Sequence, residues 1–325
     1  MRALIHHSFG TPADVLHPED IETPTPGAGE ALVRLVLSPI HNHDVLTVSG
    51  DYGFKPELPA RSGTEALGVV EALGEGVSHL SVGQRVVSGG TFGAWSEFFV
   101  APAAGLIPVP DAIADEAAAQ LISMPFSALS VVDSLGLEAG AWLAINAANG
   151  AVGRLVAQFA VARGLRVLGL VRREEGVAEL AAQGVTDVVS TASEGWEERA
   201  AAITGGEPIL AGIDQVGGDA AAQLLSLLAP KGELVIFGAM GGSIMPIPSG
   251  PIIFKELSIR GFWGSKVSGA MSDQDRAALM TEVFTRVAEG TVTLPVAGVF
   301  GLDEFPAAMA AQAVAGRVGK VLLRP

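Results

Sequence analysis

The chain contains no cysteine. Disulfides, thiolate nucleophiles and cysteine-ligated zinc are thereby excluded. Positive charge is also scarce: 20 Lys and Arg stand against 35 Asp and Glu, a formal net charge of −15. Nucleic-acid binding needs clustered Lys and Arg that displace counterions, and an anionic membrane surface needs the same, so neither partner is expected. No run of about 18 apolar residues is free of Gly, Asn or charge, which leaves no transmembrane helix to expect. The apolar run that follows Met1-Arg2 is too short for a signal peptide, so a cytoplasmic location is the default. Phenolic hydroxyls are nearly absent, since Tyr52 is the only tyrosine. Each basic or phenolic side chain near a binding signal is therefore informative.

What is present is apolar and glycine-rich. The 325 residues are 49% hydrophobic and 17% charged, enough to fill two cores. The 41 glycines are spread along the whole length, as tight turns and close backbone approaches require. Up to about residue 110, short β-rich runs such as Ala31 to Leu37 and Leu67 to Leu73 lie between closely spaced Gly and Pro. That pattern predicts a compact, mostly β, barrel-like domain. From Asp115, strand-like and helix-like segments alternate, which predicts a parallel sheet with crossover helices. Ala141 to Ile145, Arg166 to Val171, Asp187 to Val189, Ile209 to Val216 and Glu233 to Phe237 read as strands. Gly153 to Arg163, Glu175 to Gln183 and Ala220 to Leu228 read as helices. Strand-and-turn character returns near Pro295, and Lys320 to Leu323 reads as a strand closing the first domain. The expected fold class is α/β, with a β-rich domain over 1–115 and 295–325 and a doubly wound parallel-sheet (Rossmann) domain over 116–294.

The segment Trp142 to Gly153 runs from an apolar strand through a small-residue turn into a helix. In such a unit Gly150 lets the backbone approach a pyrophosphate and Gly153 allows close helix–sheet packing. The helix N-terminus offers unpaired N–H groups and a positive dipole end to phosphate. Ala148 stands where the G-x-G-x-x-G fingerprint has its first glycine; taken alone, such a turn is also an ordinary glycine-rich βα turn. The following strand selects the dinucleotide. An Asp or Glu about 20 residues past the motif would bind a ribose 2′-hydroxyl. Here the strand ends in Arg172-Arg173, a pair suited to gripping a 2′-phosphate, which favours NADPH. The alternative is a solvated basic turn neutralised by Glu174 and Glu175.

With these residues the chain resembles the medium-chain dehydrogenase/reductase superfamily. Within it the chain is most similar to the zinc-free, mitochondrial-type 2-enoyl thioester reductases, and next to the quinone oxidoreductases. The resemblance covers nearly the whole chain, through Gly50 to Pro59, Gly63-Thr64-Glu65, Asn146 to Gly153, Phe237 to Met240 and Arg260 to Trp263. It implies a GroES-like catalytic domain around the Rossmann domain, with ligands in the cleft between them. It further implies that Asn149, Gly150, Ala151, Val152 and Gly153 hold the pyrophosphate, and Arg172 and Arg173 the 2′-phosphate. Phe237, Gly238, Ala239 and Met240 would face the nicotinamide ribose. Phe262, Trp263 and Gly264 would present backbone groups to the carboxamide, although core packing is the commoner role of such aromatics. Ser127 and Lys320 match further cofactor-contacting positions; on sequence alone Lys320 reads as a surface lysine. A homodimer paired through the Rossmann edge, near Gly250 to Arg260, is the family's implication.

The positions that carry zinc in metal-dependent members hold His41 and Thr64, and His41, His43 and Asp44 do not have a standard zinc spacing. No metal is expected, and His41 and Trp263 are expected to line the substrate cleft. Reduction without metal requires the dinucleotide to perform the hydride step, while the protein stabilises an enolate oxygen and lets a proton reach the α-carbon. Tyr52 stands where the enoyl reductases place a catalytic tyrosine; otherwise it is a half-buried loop aromatic. The expected function is an NADPH-dependent reductase of activated C=C bonds, acting on an enone or an enoyl-CoA. A quinone reductase and a redox-quiet NADPH-binding protein are the alternatives.

Overall fold

The computed structural model describes all residues except 183, 184 and 243. The chain divides into two compact units, Met1–Met124 with Phe284–Pro325, and Pro125–Val283. The sequence reading puts the junctions at 115/116 and 294/295. The stretch to Ser123 is held in the first unit by two contacts. The N–H groups of Ile122 and Ser123 donate to Glu65 at 2.6 and 3.1 Å. Ile122 also fills the space left by Gly89, where a Cβ would lie 2.3 Å from Ile122 Cγ2.

The first unit is mostly β. Its largest sheet runs in the order Val296–Gly301, Lys320–Arg324, Glu30–Pro39, Glu65–Leu73, Arg85–Gly89 and Ile107–Pro108, and Phe98–Pro102 pairs on Glu30–Pro39. The C-terminal strand joins it as expected, antiparallel to Glu30–Pro39 with Leu322 opposite Pro39. A small sheet of Leu16–Asp20, Arg2–His6 and Ala60–Arg61 lies in the same unit. Ala31, Val33, Leu35, Val70, Val86 and Phe99 pack as one core cluster. Leu4, Ile40, Val48, Trp95, Phe305 and Leu323 form another.

Reading this unit as strands between turns misses the helix Asn42–Ser49. It starts where the Asp44 carboxylate accepts the His41 N–H at 3.0 Å, and it stops at Gly50, which is left-handed at φ 81°. Both are ordinary helix-end devices. The helix is short and carries buried polar residues on its inner face, so no apolar period announces it.

The second unit is built on a six-stranded, all-parallel sheet ordered Val188–Ser190, Arg166–Val171, Trp142–Ile145, Ile209–Asp214, Glu233–Ile236 and Ser258–Gly261. In chain order this is 3-2-1-4-5-6, the doubly wound dinucleotide-binding arrangement. The order reverses between Trp142–Ile145 and Ile209–Asp214, and a ligand site belongs at the carboxyl ends of those strands. The helix Ala151–Ala162 presses Gly153, Leu155, Val156, Phe159 and Ala160 inward. Helices Glu174–Ala181 and Gly218–Ser226 fall within two residues of their expected starts. The expected end at Gln183 lies outside the described residues. Trp196–Thr204, Ser123–Asp133 and Asp273–Ala288 are helices that the sequence reading leaves out. Among the described residues no helix is long and apolar enough to cross a membrane.

Gly63 shows how tightly the first unit is closed near Thr64. Its φ is +88°, and a Cβ there would lie 2.3 Å from Trp95 Cδ1 and 2.7 Å from Trp95 N. Gly63→Ala therefore meets both a steric clash and an unfavourable backbone. We expect it to lower the free energy of unfolding by roughly 3 kcal/mol in urea titrations. Gly76→Ala, at φ +82° but in open space, should lose only about 1–2 kcal/mol. Equal losses at the two positions would refute the packing argument.

Candidate functional site

The switch point of the second unit is stitched by side chains. Asn146, just past strand Trp142–Ile145, donates through Nδ2 to the buried Asp214 carboxylate at the end of the neighbouring strand. Its Oδ1 accepts the Gln215 N–H at 2.7 Å, and its backbone oxygen accepts Gln215 Nε2 at 2.9 Å. Asp214 also accepts the N–H groups of Val216 and Gly217. Two adjacent strand ends are thus locked in register before the turn begins.

The turn is a close fit. Ala147 takes a left-handed φ of 46°, and its carbonyl accepts the Gly150 N–H at 2.8 Å. A Cβ on Gly153 would lie 2.3 Å from that same carbonyl oxygen and 2.9 Å from Ala148 Cα, so only glycine fits. Ala148, in place of the usual first glycine, is fully buried. Its methyl occupies room provided by Gly169 on strand Arg166–Val171, where an added Cβ would stand 3.0 Å from it. The departure from the fingerprint is thus compensated on the next strand. Gly150 caps helix Ala151–Ala162 without a side chain, so no side chain competes with an anion for the first-turn N–H groups of Ala151, Val152 and Gly153. This cradle fits a dinucleotide pyrophosphate.

Around the turn, two predicted residues are joined by one that the sequence reading misses. Glu179 accepts Asn149 Nδ2 at 3.2 Å and Arg173 Nη2 at 3.4 Å. Arg173 also lies 3.8 Å from Glu175, and Glu174 bonds Ser193 instead. The alternative of a neutralised basic turn therefore describes Arg173 in part. Arg172 is exposed, and no ion pair among the described residues includes it. Buried Arg154 is a second omission: its Nε donates to the Asn149 carbonyl at 2.8 Å and holds the turn from inside the helix. Neither Glu179 nor Arg154 belongs to a spacing motif, so only the fold could reveal them.

The remaining positions of this unit that the resemblance assigns to a cofactor form a second group. Phe237 stacks on Phe262, with ring centroids 5.6 Å apart and 17° between planes. The N–H groups of Phe237 and Gly238 both bond the Asp214 carbonyl. A Cβ on Gly238 would lie 2.3 Å from Gln215 O, which brings Gly238 and Ala239 against the strand-end loop. Ser127 and Gly264 meet so closely that a Cβ on Gly264 would stand 2.6 Å from Ser127 Oγ. Phe262 is buried as a core aromatic, whereas Met240 and Trp263 are exposed, and Lys266 Nζ sits 4.6 Å over the Trp263 ring.

The first unit holds His41, Tyr52, Thr64 and Lys320 in and around a buried polar cluster. Lys320 is not a surface lysine: it is 7% exposed, its Nζ donates to the Ile40 carbonyl at 3.4 Å, and burial pushes its pKa down to about 8. His41 Nε2 lies 2.6 Å from Glu65 Oε2, and both side chains are buried. The other Glu65 oxygen accepts the Ile122 and Ser123 N–H groups. Burial raises the Glu65 carboxyl to about 7 against the pull of those two donors. Burial likewise holds His41 well below the usual imidazole range, that is, neutral. His41 Nδ1 has no partner, which a bare lone pair tolerates better than an N–H. With Glu65 ionised, the neutral ring therefore donates from Nε2 to it; protonation of Glu65 at the oxygen facing His41 reverses the bond.

A second chain of bonds runs beside it. His43 Nε2 lies 2.7 Å from Thr64 Oγ1, and Thr64 Oγ1 donates to Asp44 Oδ1 at 2.7 Å. The His43 ring stacks on His41 at 4.8 Å and packs beside Tyr52 at 5.9 Å. Zinc does not fit these donors. Thr64 directs its proton to Asp44, His41 is committed to Glu65, and no group of three or more His, Asp or Glu among the described residues is arranged to hold a metal.

A GroES-like unit together with a doubly wound dinucleotide-binding unit defines a class of oxidoreductases, and comparison with known proteins agrees. Residues 27–111 match the model of the alcohol dehydrogenase GroES-like domain, and 151–282 that of the zinc-binding dehydrogenases. The mitochondrial enoyl-[acyl-carrier-protein] reductases of Bos taurus and Homo sapiens are each 30% identical over 318 residues, covering 96% of this chain and 85% of theirs. Among solved structures, a quinone oxidoreductase from Pseudomonas syringae pv. Tomato DC3000 aligns with a TM-score of 0.88 at 28% identity over 100% of both chains. A mycobacterial protein solved in complex with NADPH aligns with a TM-score of 0.87 at 29% identity, again over 100% of both. The chain belongs to the medium-chain dehydrogenase/reductase superfamily.

The Glu65 carboxyl makes stability depend on pH in a defined direction. Its folded value of about 7 lies above the ordinary 4.5, so the folded chain binds this proton more tightly than the unfolded chain does. The resulting stability is complete below about pH 4.5 and is lost as pH rises through 7. Between pH 5 and 7 the wild type should therefore lose unfolding free energy relative to Glu65→Gln. Parallel urea curves at the two pH values read the difference; a gap that stays constant would exclude the raised carboxyl.

Proposed function

We propose that the chain is an NADPH-dependent reductase of activated C=C bonds, with enoyl thioesters or enones as substrates. The observation that carries the reading is the pair Arg172-Arg173 at the end of the second parallel strand, next to a phosphate cradle and with no carboxylate at the strand's own tip. Arg172 and Arg173 grip the 2′-phosphate, and the first-turn N–H groups of helix Ala151–Ala162 hold the pyrophosphate. Phe237 to Met240, Phe262 to Gly264 and Ser127 belong to the nicotinamide end, and Lys320 is a further cofactor-contacting residue. Bound there, the reduced dinucleotide supplies a hydride to the β-carbon of the substrate.

The chain's own part is electrostatic and steric. The Tyr52 hydroxyl donates to the carbonyl oxygen as it becomes an enolate, and its ring is steadied by His43. His41, expected to line the substrate space, is 1% exposed and bonded to Glu65, so it supports the stacked His43 ring instead, while Trp263 is exposed and lines the space for substrate. Relatives named both for enoyl reduction and for quinone reduction support a second reading, an NADPH:quinone oxidoreductase, in which Tyr52 is a wall of the site. Both readings take the chain as a homodimer paired along the edge strand Ser258–Gly261, on which Ile259 is exposed, as are Ile253 and Phe254 in the helix that precedes it.

Titration of the purified protein should show NADPH bound more tightly than NADH. Arg172→Ala should weaken NADPH about 10–100-fold, as loss of charge-assisted hydrogen bonds implies, while leaving NADH affinity unchanged. Tight NADH binding that ignores the extra phosphate would remove the basis of the proposal. NADPH oxidation measured in parallel with crotonyl-CoA, a small enone and a simple quinone separates the two readings. Tyr52→Phe should slow the thioester reaction by about 100-fold and spare the quinone. Equal losses on both acceptors, or on neither, would contradict the oxyanion role.

A further inference from the structure

We propose that His43 is the acid that protonates the substrate α-carbon, set in that role by Thr64 and Asp44. The inference rests on the C=C reductase reading above and divides its two jobs between neighbours: Tyr52 serves the oxygen and His43 the carbon.

The argument starts from the direction of the hydrogen bonds. An ionised Asp44 carboxylate can only accept. One oxygen takes the His41 N–H at 3.0 Å and the other takes the Thr64 hydroxyl at 2.7 Å. With its proton committed to Asp44, the Thr64 oxygen can only accept from His43, so the His43 proton on that side sits on Nε2. The tautomer is therefore fixed from the buried end, and Nδ1 is the atom left over for chemistry. No described residue bonds Nδ1. Asp44 and Thr64 are 2% and 7% exposed, whereas the His43 side chain is 22% exposed. A buried polar chain thus surfaces at one imidazole nitrogen, beside the chain's only tyrosine.

His43 is also held still. Its backbone carbonyl accepts Thr47 Oγ1 at 2.7 Å, and its ring is stacked on His41. His41 is itself fixed by Glu65. A carboxylate, a hydroxyl and an imidazole in series form an arrangement that can stabilise a charged ring while orienting it.

The step balances as follows. With a hydride added to the β-carbon from reduced nicotinamide, the C=C electron pair shifts to give an enolate whose oxygen Tyr52 holds. The enolate pair then re-forms the carbonyl while the α-carbon takes the Nδ1 proton, forming a C–H bond and breaking N–H. His43 returns to the neutral ring, still bonded to Thr64, and is reprotonated from solvent at Nδ1. A quinone needs no such donor, because its protons go to oxygen atoms that exchange with water directly.

The test follows where the proton goes. Wild type, His43→Ala, His43→Gln and Thr64→Val are run with NADPH and crotonyl-CoA in D2O. The butyryl-CoA product is hydrolysed and the butyrate is esterified with single-enantiomer mandelate, so that deuterium NMR resolves the two α positions. The wild type should carry solvent deuterium on one face only. His43→Ala should be slowed about 100-fold, as loss of a general acid implies, with deuterium on both faces, and added imidazole should restore part of the rate. His43→Gln keeps a donor for Thr64 but has no acid; it should be equally slow, unrescued and scrambled, and it serves if the alanine variant does not fold. Thr64→Val should slow the reaction about 10-fold and keep the face. NADPH affinity should be unchanged in all three. A histidine variant that keeps both the rate within twofold and the single labelled face overturns the role of His43 and leaves the reductase reading standing. A wild type that binds NADPH but reduces no enoyl or enone substrate overturns that reading, and this one with it.

Discussion

One buried, acceptor-only carboxylate organises the first unit. Asp44 starts the helix Asn42–Ser49 through the His41 N–H and fixes the direction of the Thr64 hydroxyl through its other oxygen. The same residue therefore ends a strand-to-helix loop and orders a side-chain network, a coupling of backbone termination to site geometry. Its neighbours obey the same economy. Glu65 uses one oxygen to hold the segment at Ile122 and Ser123 and the other to hold His41. A polar cluster of this kind is costly to leave half satisfied, and nearly every acceptor in it is used.

In the second unit the equivalent constraint is space. The carbonyl of Ala147 stands where a Cβ of residue 153 would be, which makes the helix approach as close as a backbone allows. The alanine at 148 would crowd an ordinary version of this turn, and Gly169 on the adjacent strand provides the volume it takes. The fingerprint is thus better understood as a sum of volumes over two strands than as a row of glycines.

The alternation of apolar segments from Trp142 to Ile236 was enough to read the parallel sheet, because buried parallel strands are short continuous apolar runs punctuated by glycine. The strand–turn–helix unit from Trp142 to Gly153 is legible for the same reason. The helix Asn42–Ser49 was not, since its inner face is polar and its ends are marked only by Asp44 and Gly50. Lys320 reads as exposed by residue type, yet it lies under Ile40 because its strand is interior to the sheet. The His43–Thr64–Asp44 chain spans 20 residues of sequence between Asp44 and Thr64. Only strand pairing and helix placement bring the three together. A single sequence shows the residue types but not which way their protons point.

The bond pattern around Glu179 has a consequence for anyone redesigning coenzyme preference. Asn149 in the phosphate turn and Arg173 at the strand tip are clipped to the same carboxylate. Under the proposed reading, the part that would meet the adenosine ribose and the part that would cradle the diphosphate are thus mechanically one piece. Exchanging Arg173 alone would loosen the turn as well as change the charge, whereas Arg172 has no part in the clip. A successful switch of specificity would have to rebuild helix Glu174–Ala181 together with the loop that precedes it, as a cassette.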